Sequence, residues 1–441
     1  MTERTTVVQK EMVDMEDGDF ANSAVPLEAR KSFLSITIVW LGFVFVVTSM
    51  MTGGGLAAGL TFSNILIAVV LGNIFLSVIA IAVSYMAAKT GLCFALITRY
   101  SFGNKGSKIA TLFVPIVNIG WYTIQAALYG HFIAQALGIE GVGELIILFI
   151  STVAMGIFAF SGMKAITILG YIAIPAIIFL SLGTAMKSVM LEGGSVITEW
   201  TPAETMTMVS GITIVIGTWI LSTATCIADI MRYAKSTKEA VLSSIIGLVG
   251  GNGLLLTCGA IAGIAMKQSD LTAVLLGLGL VIPSLILMTT NIFTTNAANL
   301  YSTSLNLENT FSVGRRKLIV IILILAGFLS WTRPYNIDVL FTFLNLLGVV
   351  VPPLAGIIVA DYYIIHKRNY PDLKSSKIKD WNISPWITWG ISLVIVRLLM
   401  NVAEGGSAVN GIFGLPALNG IIAALILYPI VHKLMNKVRG K

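Results

Sequence analysis

The feature that most limits what this chain can fold into is a train of long apolar runs. They recur roughly every 30 to 40 residues from Phe33 almost to the end of the 441-residue sequence. A helix needs about 20 consecutive apolar residues to cross the bilayer core, where every backbone polar group must be satisfied within the protein. Only 11% of the residues are charged and 56% are hydrophobic, whereas a soluble domain carries roughly 25% charged residues. The runs are continuous, unlike the short alternating segments of a barrel. The expected fold class is therefore an all-α polytopic membrane protein. Twelve spans are predicted, at 33–54, 64–88, 109–136, 143–161, 165–187, 206–228, 240–266, 272–301, 317–332, 337–364, 384–403 and 411–432.

These spans make one transmembrane domain, 33–432, between an N-terminal tail, 1–32, and a short C-terminal tail, 433–441. The first tail is polar and rather acidic (Glu11, Asp14, Glu16, Asp17, Asp19), with no apolar stretch of the kind a cleavable signal peptide requires. An even number of spans puts both termini on one side. With that side cytoplasmic, all but four of the 28 basic residues fall in cytoplasmic segments, the exceptions being Lys187, Lys267, Arg333 and Arg397. This is the positive-inside pattern. It accounts for the net charge of +7 and leaves no patch that calls for a nucleic-acid partner. Cys93, Cys226 and Cys258 lack metal-type spacing and read as small core residues.

Polar residues within the spans point to function, because the bilayer offers them no water. Charged ones are scarce: Arg397 and the edge residue Asp229 stand out, with His131 the one histidine well inside a span. Carriers driven by protons often use buried carboxylates or histidines, so their scarcity argues for a neutral substrate recognised by amides, hydroxyls and aromatic faces. In span 3, Asn118, Trp121, Gln125 and Tyr129 recur every three or four residues and share one helical stripe. In span 6, Trp219 shares a face with Ser222 and Thr223. In span 8, Asn291, Thr294, Thr295 and Asn299 line one face, supplying hard oxygen ligands without net charge, a set that suits Na⁺ better than a divalent ion. Span 1 carries Gly42 and then Gly53–Gly55. A helix discontinuity is expected near Gly42 to Phe45, where freed carbonyls could hold a cation; the triple glycine reads as a helix end. Two indoles and several amides together suit a small, flat, neutral ligand.

Seven segments in order carry a resemblance that covers nearly the whole chain after the tail. They are VPLEARKS before span 1, MTGGGLAAGL after it, KTGL with RYSFGNKGS between spans 2 and 3, Gly120–Trp121, ADIMRYAK at 228–235, NIFTTNAANLY at 291–301 and PPLAGIIVADYY at 352–363. The chain resembles the nucleobase–cation symporter-1 family, most closely its bacterial cytosine permeases. That resemblance implies two inverted five-helix repeats of the leucine-transporter type plus two extra helices, with helices 1 and 6 broken. It implies a substrate between helices 1, 3, 6 and 8, stacked on Trp121 and Trp219, with Asn291 and Asn299 as polar contacts on helix 8; Asn118 and Gln125 on helix 3, and Ser222 or Leu221 at the serine position of helix 6, are the other candidate contacts. It also implies Na⁺ as coupling ion, bound by Thr294 and Thr295 beside the carbonyls of Gly42 and Phe45, with Asn291 at the same site. Trp219 and Gln125 depart from the cytosine-permease pattern toward that of the hydantoin transporter, and Asn118 stands where the cytosine permeases have glutamine.

The resulting expectation is a monomeric, Na⁺-coupled importer of a neutral nucleobase, cytosine first and purines or hydantoins next, in a bacterial inner membrane, with no other cofactor. Proton coupling is the alternative for the ion. An amino-acid or amine carrier on the same fold is a distant alternative, since an amine would favour a buried acid. An intramembrane enzyme is disfavoured by the lack of paired catalytic groups in the spans.

Overall fold

The computed structural model describes residues 20, 22–156, 162–311, 313–373, 378–404 and 414–438. Among them every regular element is helical, and the sole ladder-type pairing is an isolated bridge between Lys31 and Ala234. Each of the twelve predicted spans falls on one or more helices where it is described; 157–161 of the fourth and 411–413 of the twelfth lie outside the described residues. Six helices are individually long and apolar enough to cross a bilayer: Phe62–Thr90, Asn104–Ala136, Ile174–Glu192, Thr237–Ala265, Ile337–Ile365 and Pro416–Lys437. The bent pair Phe33–Val44 and Val47–Leu56 makes a seventh.

Local chemistry explains where several helices begin and end. Span 2 starts at a Thr61 cap that accepts from the Asn64 N–H and ends at Gly91, whose φ of 72° only glycine adopts freely. Span 7 begins with a capping pattern, Ser236 accepting from the Glu239 N–H. The 272–301 run, expected as one helix, divides into Leu271–Gly277 and Val281–Phe311. Gly279 causes the division. Its φ is 65°, and the N–H groups of Gly279 and Leu280 turn back onto the carbonyls of Leu276 and Leu275.

Spans 1, 6 and 7 are irregular, each differently. Span 1 breaks at Phe45 and Val46, both extended, and its halves meet at a 51° bend. The predicted discontinuity is thus present, at the end of the predicted interval. Gly53–Gly55 form the last turn of the second half and also let it approach span 7. A Cβ on Gly53 would overlap the Leu256 carbonyl, and one on Gly259 would overlap that of Met50. Small residues allow such close backbone approach in membrane bundles. Span 6 runs as Met208–Ala224, turns at Thr225 (φ −135°, ψ −75°) and resumes as Cys226–Met231. Span 7 contains a π-helical turn, Ile246–Asn252.

Packing reveals an internal repeat that single-sequence reading does not detect. Span 1 packs against spans 5 and 7, and span 6 packs against spans 10 and 2. Shifting every span number by five turns the first set into the second. The same shift turns the contact of spans 3 and 4 into that of spans 8 and 9, and maps the pairs 3–8, 4–9 and 2–7 onto themselves. Spans 11 and 12 lie outside this scheme and pack on each other and on span 10. Part of the N-terminal tail is docked: the Val25 N–H donates to the Gly91 carbonyl, and Arg30 donates to the carbonyls of Ala88 and Ala234. At the other end, the last helix extends to Val438.

Candidate substrate-binding site

The break in span 1 places a cavity at the centre of the bundle. It is lined by Phe43, Val46, Thr48, Ser49 and Thr52 of span 1, Trp121 and Gln125 of span 3, Thr218, Trp219 and Ser222 of span 6, and Thr295 and Asn299 of span 8. The cavity volume is about 20 Å³, little more than one water occupies, so its walls stand nearly closed on one another. Both indoles predicted from the sequence therefore face one chamber. Trp121 packs edge-on against Phe343 at 5.4 Å, and Trp219 meets Phe43 edge-on at 5.3 Å and Trp40 at 6.2 Å. The Trp219 N–H is satisfied by Asn252 at 3.1 Å.

The polar lining is sparse and uncharged. The side-chain oxygen of Gln125 is buried without a hydrogen-bond partner among the described residues. Such an acceptor costs free energy unless a ligand N–H meets it. Ser222 and Asn299 are likewise buried at the wall.

The stripe on span 3 divides. Trp121 and Gln125 reach the cavity, whereas Tyr129 bonds Thr289 of span 8 at 2.6 Å and Asn118 lies beside the Cys226 thiol, away from the lining. Asn291 is also absent from the wall. Its amide bridges the break in span 1, accepting from the Val47 N–H at 3.0 Å and donating to the Phe45 carbonyl. One side chain thus satisfies two backbone groups that the broken helix leaves without helical partners.

The expected cation ligands lie on the two elements that this clamp joins, span 1 and span 8. The helical pattern stops at Val44, so the Gly42 carbonyl no longer faces a helical N–H four residues on. Phe45 has a carbonyl with a second lone pair beyond the one Asn291 uses. Thr294 and Thr295 donate their hydroxyl protons back to the carbonyls of Thr290 and Asn291 at 2.7 and 3.2 Å. A hydroxyl that donates in this way keeps oxygen lone pairs for a cation, so the donor set suits a monovalent hard ion.

Two buried acids were missed because they sit at span ends. Glu144, in the first turn of Val142–Met155, accepts from His131 Nδ1 at 2.8 Å, Tyr335 at 2.7 Å and Arg333 at 3.1 Å. Asp361, at the end of span 10, accepts from Tyr428 at 2.8 Å and Tyr370 at 2.9 Å. His131 is therefore satisfied locally. Neither acid lines the central cavity, which stays neutral. Thr48, Ser49 and Thr52 were missed too, although the i, i+4 pair Thr48 and Thr52 marks a polar face in an otherwise apolar half-helix.

A helical bundle with a broken first span, a turn in the sixth and a neutral aromatic chamber between them defines a secondary transporter. The family described as permeases for cytosine and purines, uracil, thiamine and allantoin matches residues 24–419. The chain belongs to that family, the nucleobase–cation symporter-1 permeases, and is a membrane transporter and not an enzyme. It is 30% identical over 423 residues to the cytosine permease of Escherichia coli K12, covering 96% of each chain. It is 24% identical over 435 residues to the hydantoin permease of Microbacterium maritypicum, covering 89% of this chain and 84% of that one. The inward-facing conformation of Mhp1 superposes with a TM-score of 0.81 at 18% identity over 95% of this chain and 94% of that one. A Na⁺-coupled sialic acid symporter superposes at 0.61 with 14% identity, over 92% and 90%. The fold is accordingly that of the leucine-transporter type.

Proposed function

We propose that this permease imports a neutral nucleobase, cytosine first, coupled to Na⁺, by alternating access across a bacterial inner membrane with both termini in the cytoplasm. The observation that carries the reading is the convergence of Trp121, Trp219, Gln125, Ser222 and Asn299 from three spans on one uncharged cavity beside the span-1 break. A planar heterocycle stacks on the indoles, and its N–H and C=O edge meets Gln125, Ser222 and Asn299. Each aromatic–base contact is worth about 1–3 kcal/mol in other systems. The 30% identity to a cytosine permease over nearly the full length supports the choice of base. Gln125 and Trp219, the positions that follow the hydantoin pattern, support a hydantoin-type ring as second reading.

Na⁺ is a co-substrate here, held by the hydroxyls of Thr294 and Thr295 and the carbonyls of Gly42 and Phe45, with Asn291 holding the break that exposes them. Ion binding joins span 8 to the break in span 1 and so favours the conformation in which the base site is assembled. Coupling follows when each ligand prefers that same state.

Uptake of labelled cytosine into proteoliposomes, with and without an inward Na⁺ gradient, tests both parts. Accumulation that depends on Na⁺ and is competed by unlabelled cytosine supports the reading. Uptake indifferent to Na⁺ removes the ion site, and competition by adenine or a hydantoin but not by cytosine reassigns the substrate.

A further inference from the structure

Asn252 ends the π-helical turn of span 7 and is completely buried. A π turn inserts extra backbone into a helix and re-aims the side chains around it, and such turns gather at functional sites. This one is pressed against the break in span 1. A Cβ on Gly247 would overlap Trp40, and one on Gly251 would approach the Phe45 ring to 2.9 Å. The Asn252 amide then makes four hydrogen bonds. Its oxygen accepts from Trp219 Nε1 at 3.1 Å and from Ser49 at 2.8 Å. Its nitrogen donates to Asn73 at 3.0 Å and Thr218 at 3.3 Å.

The orientation of the amide follows from its neighbours. Thr218 gives its own proton to the Val215 carbonyl, and the Asn73 nitrogen donates to the Val69 carbonyl. Both partners therefore offer Asn252 only oxygen lone pairs, while an indole N–H can only donate. Only a group with an acceptor and a two-proton donor side by side satisfies all four. We propose that Asn252 is the positioning residue for Trp219: it lies behind the cavity, holds the indole by its N–H, and ties that ring to Ser49 on the second half of span 1. Substrate stacked on Trp219 and the bent half of span 1 are thereby joined through one amide. The proposal rests on the reading of Trp219 as a substrate contact.

Two measurements test it, one of which needs no substrate. In protein labelled with 5-fluorotryptophan, the eight tryptophans give resolvable ¹⁹F signals, and Trp219→Phe assigns the one from Trp219. Asn252→Leu, similar in volume but without the amide, is expected to move that signal; an unmoved signal overturns the proposal. Equilibrium binding of labelled cytosine at saturating Na⁺ is the second measurement. Asn252→Leu is expected to raise Kd at least tenfold in the parent and less than twofold in the Trp219→Phe background. Effects that multiply across the two substitutions overturn it. Asn252→Asp keeps the accepting oxygen and should return the Trp219 signal close to its parent position. A shift as large as that of the Leu variant contradicts the proposed role, and this comparison stands if the Leu variant fails to fold. If the parent binds no cytosine, the functional reading falls, and the ¹⁹F comparison still decides the role of Asn252.

Discussion

Trp121 and Gln125 are four residues apart on one helix, and both reach the cavity; Asn118 and Tyr129 share their stripe and do not. Helical spacing identifies residues on a common face, but the neighbouring spans determine which part of that face lines open space. Trp121→Ala should therefore remove a stacking surface without disturbing the fold. Losing about 1–3 kcal/mol corresponds to a rise in Kd of roughly 5- to 150-fold, read by equilibrium binding of labelled cytosine alongside an unchanged gel-filtration profile. Thr294 lies off the cavity lining, so Thr294→Ala should raise the Na⁺ concentration for half-maximal binding while leaving affinity at saturating Na⁺ nearly intact. His366, just past the end of span 10, supplies a pH dependence. Burial disfavours its charged form, but the bond to Asp361, 3.4 Å from Nδ1, and that carboxylate's charge outweigh burial and raise its pKa above 6.5. A raised histidine pKa stabilises the fold fully below the unfolded value and loses that stabilisation as pH climbs through the folded one. His366→Asn should accordingly melt below the parent at pH 5.5, and the gap should narrow as pH rises past neutrality, as followed by thermal denaturation in detergent.

At the scale of elements, the irregular stretches do the organising. Span 1 breaks without proline, and the break persists because Asn291 satisfies a donor and an acceptor at Phe45 and Val47. Glycine content suggested where span 1 is irregular. It did not show that a side chain 244 residues away in the chain from Val47 clamps it. The second half of span 1 then lies against span 7 through Gly53 and Gly259, each facing a backbone carbonyl. Gly259→Val forces those helices apart. Overpacking of this kind costs typically 1–3 kcal/mol, expected as a lower melting temperature in detergent together with reduced transport. The π turn in span 7 leaves almost no trace in sequence beyond the GGNG stretch at 250–253, because a single inserted residue hardly disturbs a hydrophobic run.

For the molecule as a whole, the five-span shift in packing partners shows two halves built on one plan with no visible sequence repeat. Packing geometry constrains size and polarity at a contact far more than it constrains residue identity, so the plan can persist while sequence similarity fades. The distribution of basic residues predicts the orientation, and cysteine labelling checks it. Lys187→Cys should react with an impermeant maleimide on intact cells, and Lys235→Cys only after permeabilisation. The reverse pattern would invert the topology and the proposed direction of import.

Composition and run length were enough to establish an all-helical membrane protein and the rough position of each span, because the bilayer penalises every unpaired backbone group alike. Residue type and helical spacing were enough to nominate Trp121, Gln125, Trp219, Ser222, Thr295 and Asn299, which do meet at one cavity. Three things depended on the folded chain: which polar residues turn inward, that Asn291 holds the break instead of lining the chamber, and that Asn252 stands behind Trp219. The last two are hydrogen bonds between different spans, and the first follows from which neighbours each face meets. Such bonds depend on where helices cross, and helix crossings are settled by packing that no local pattern encodes.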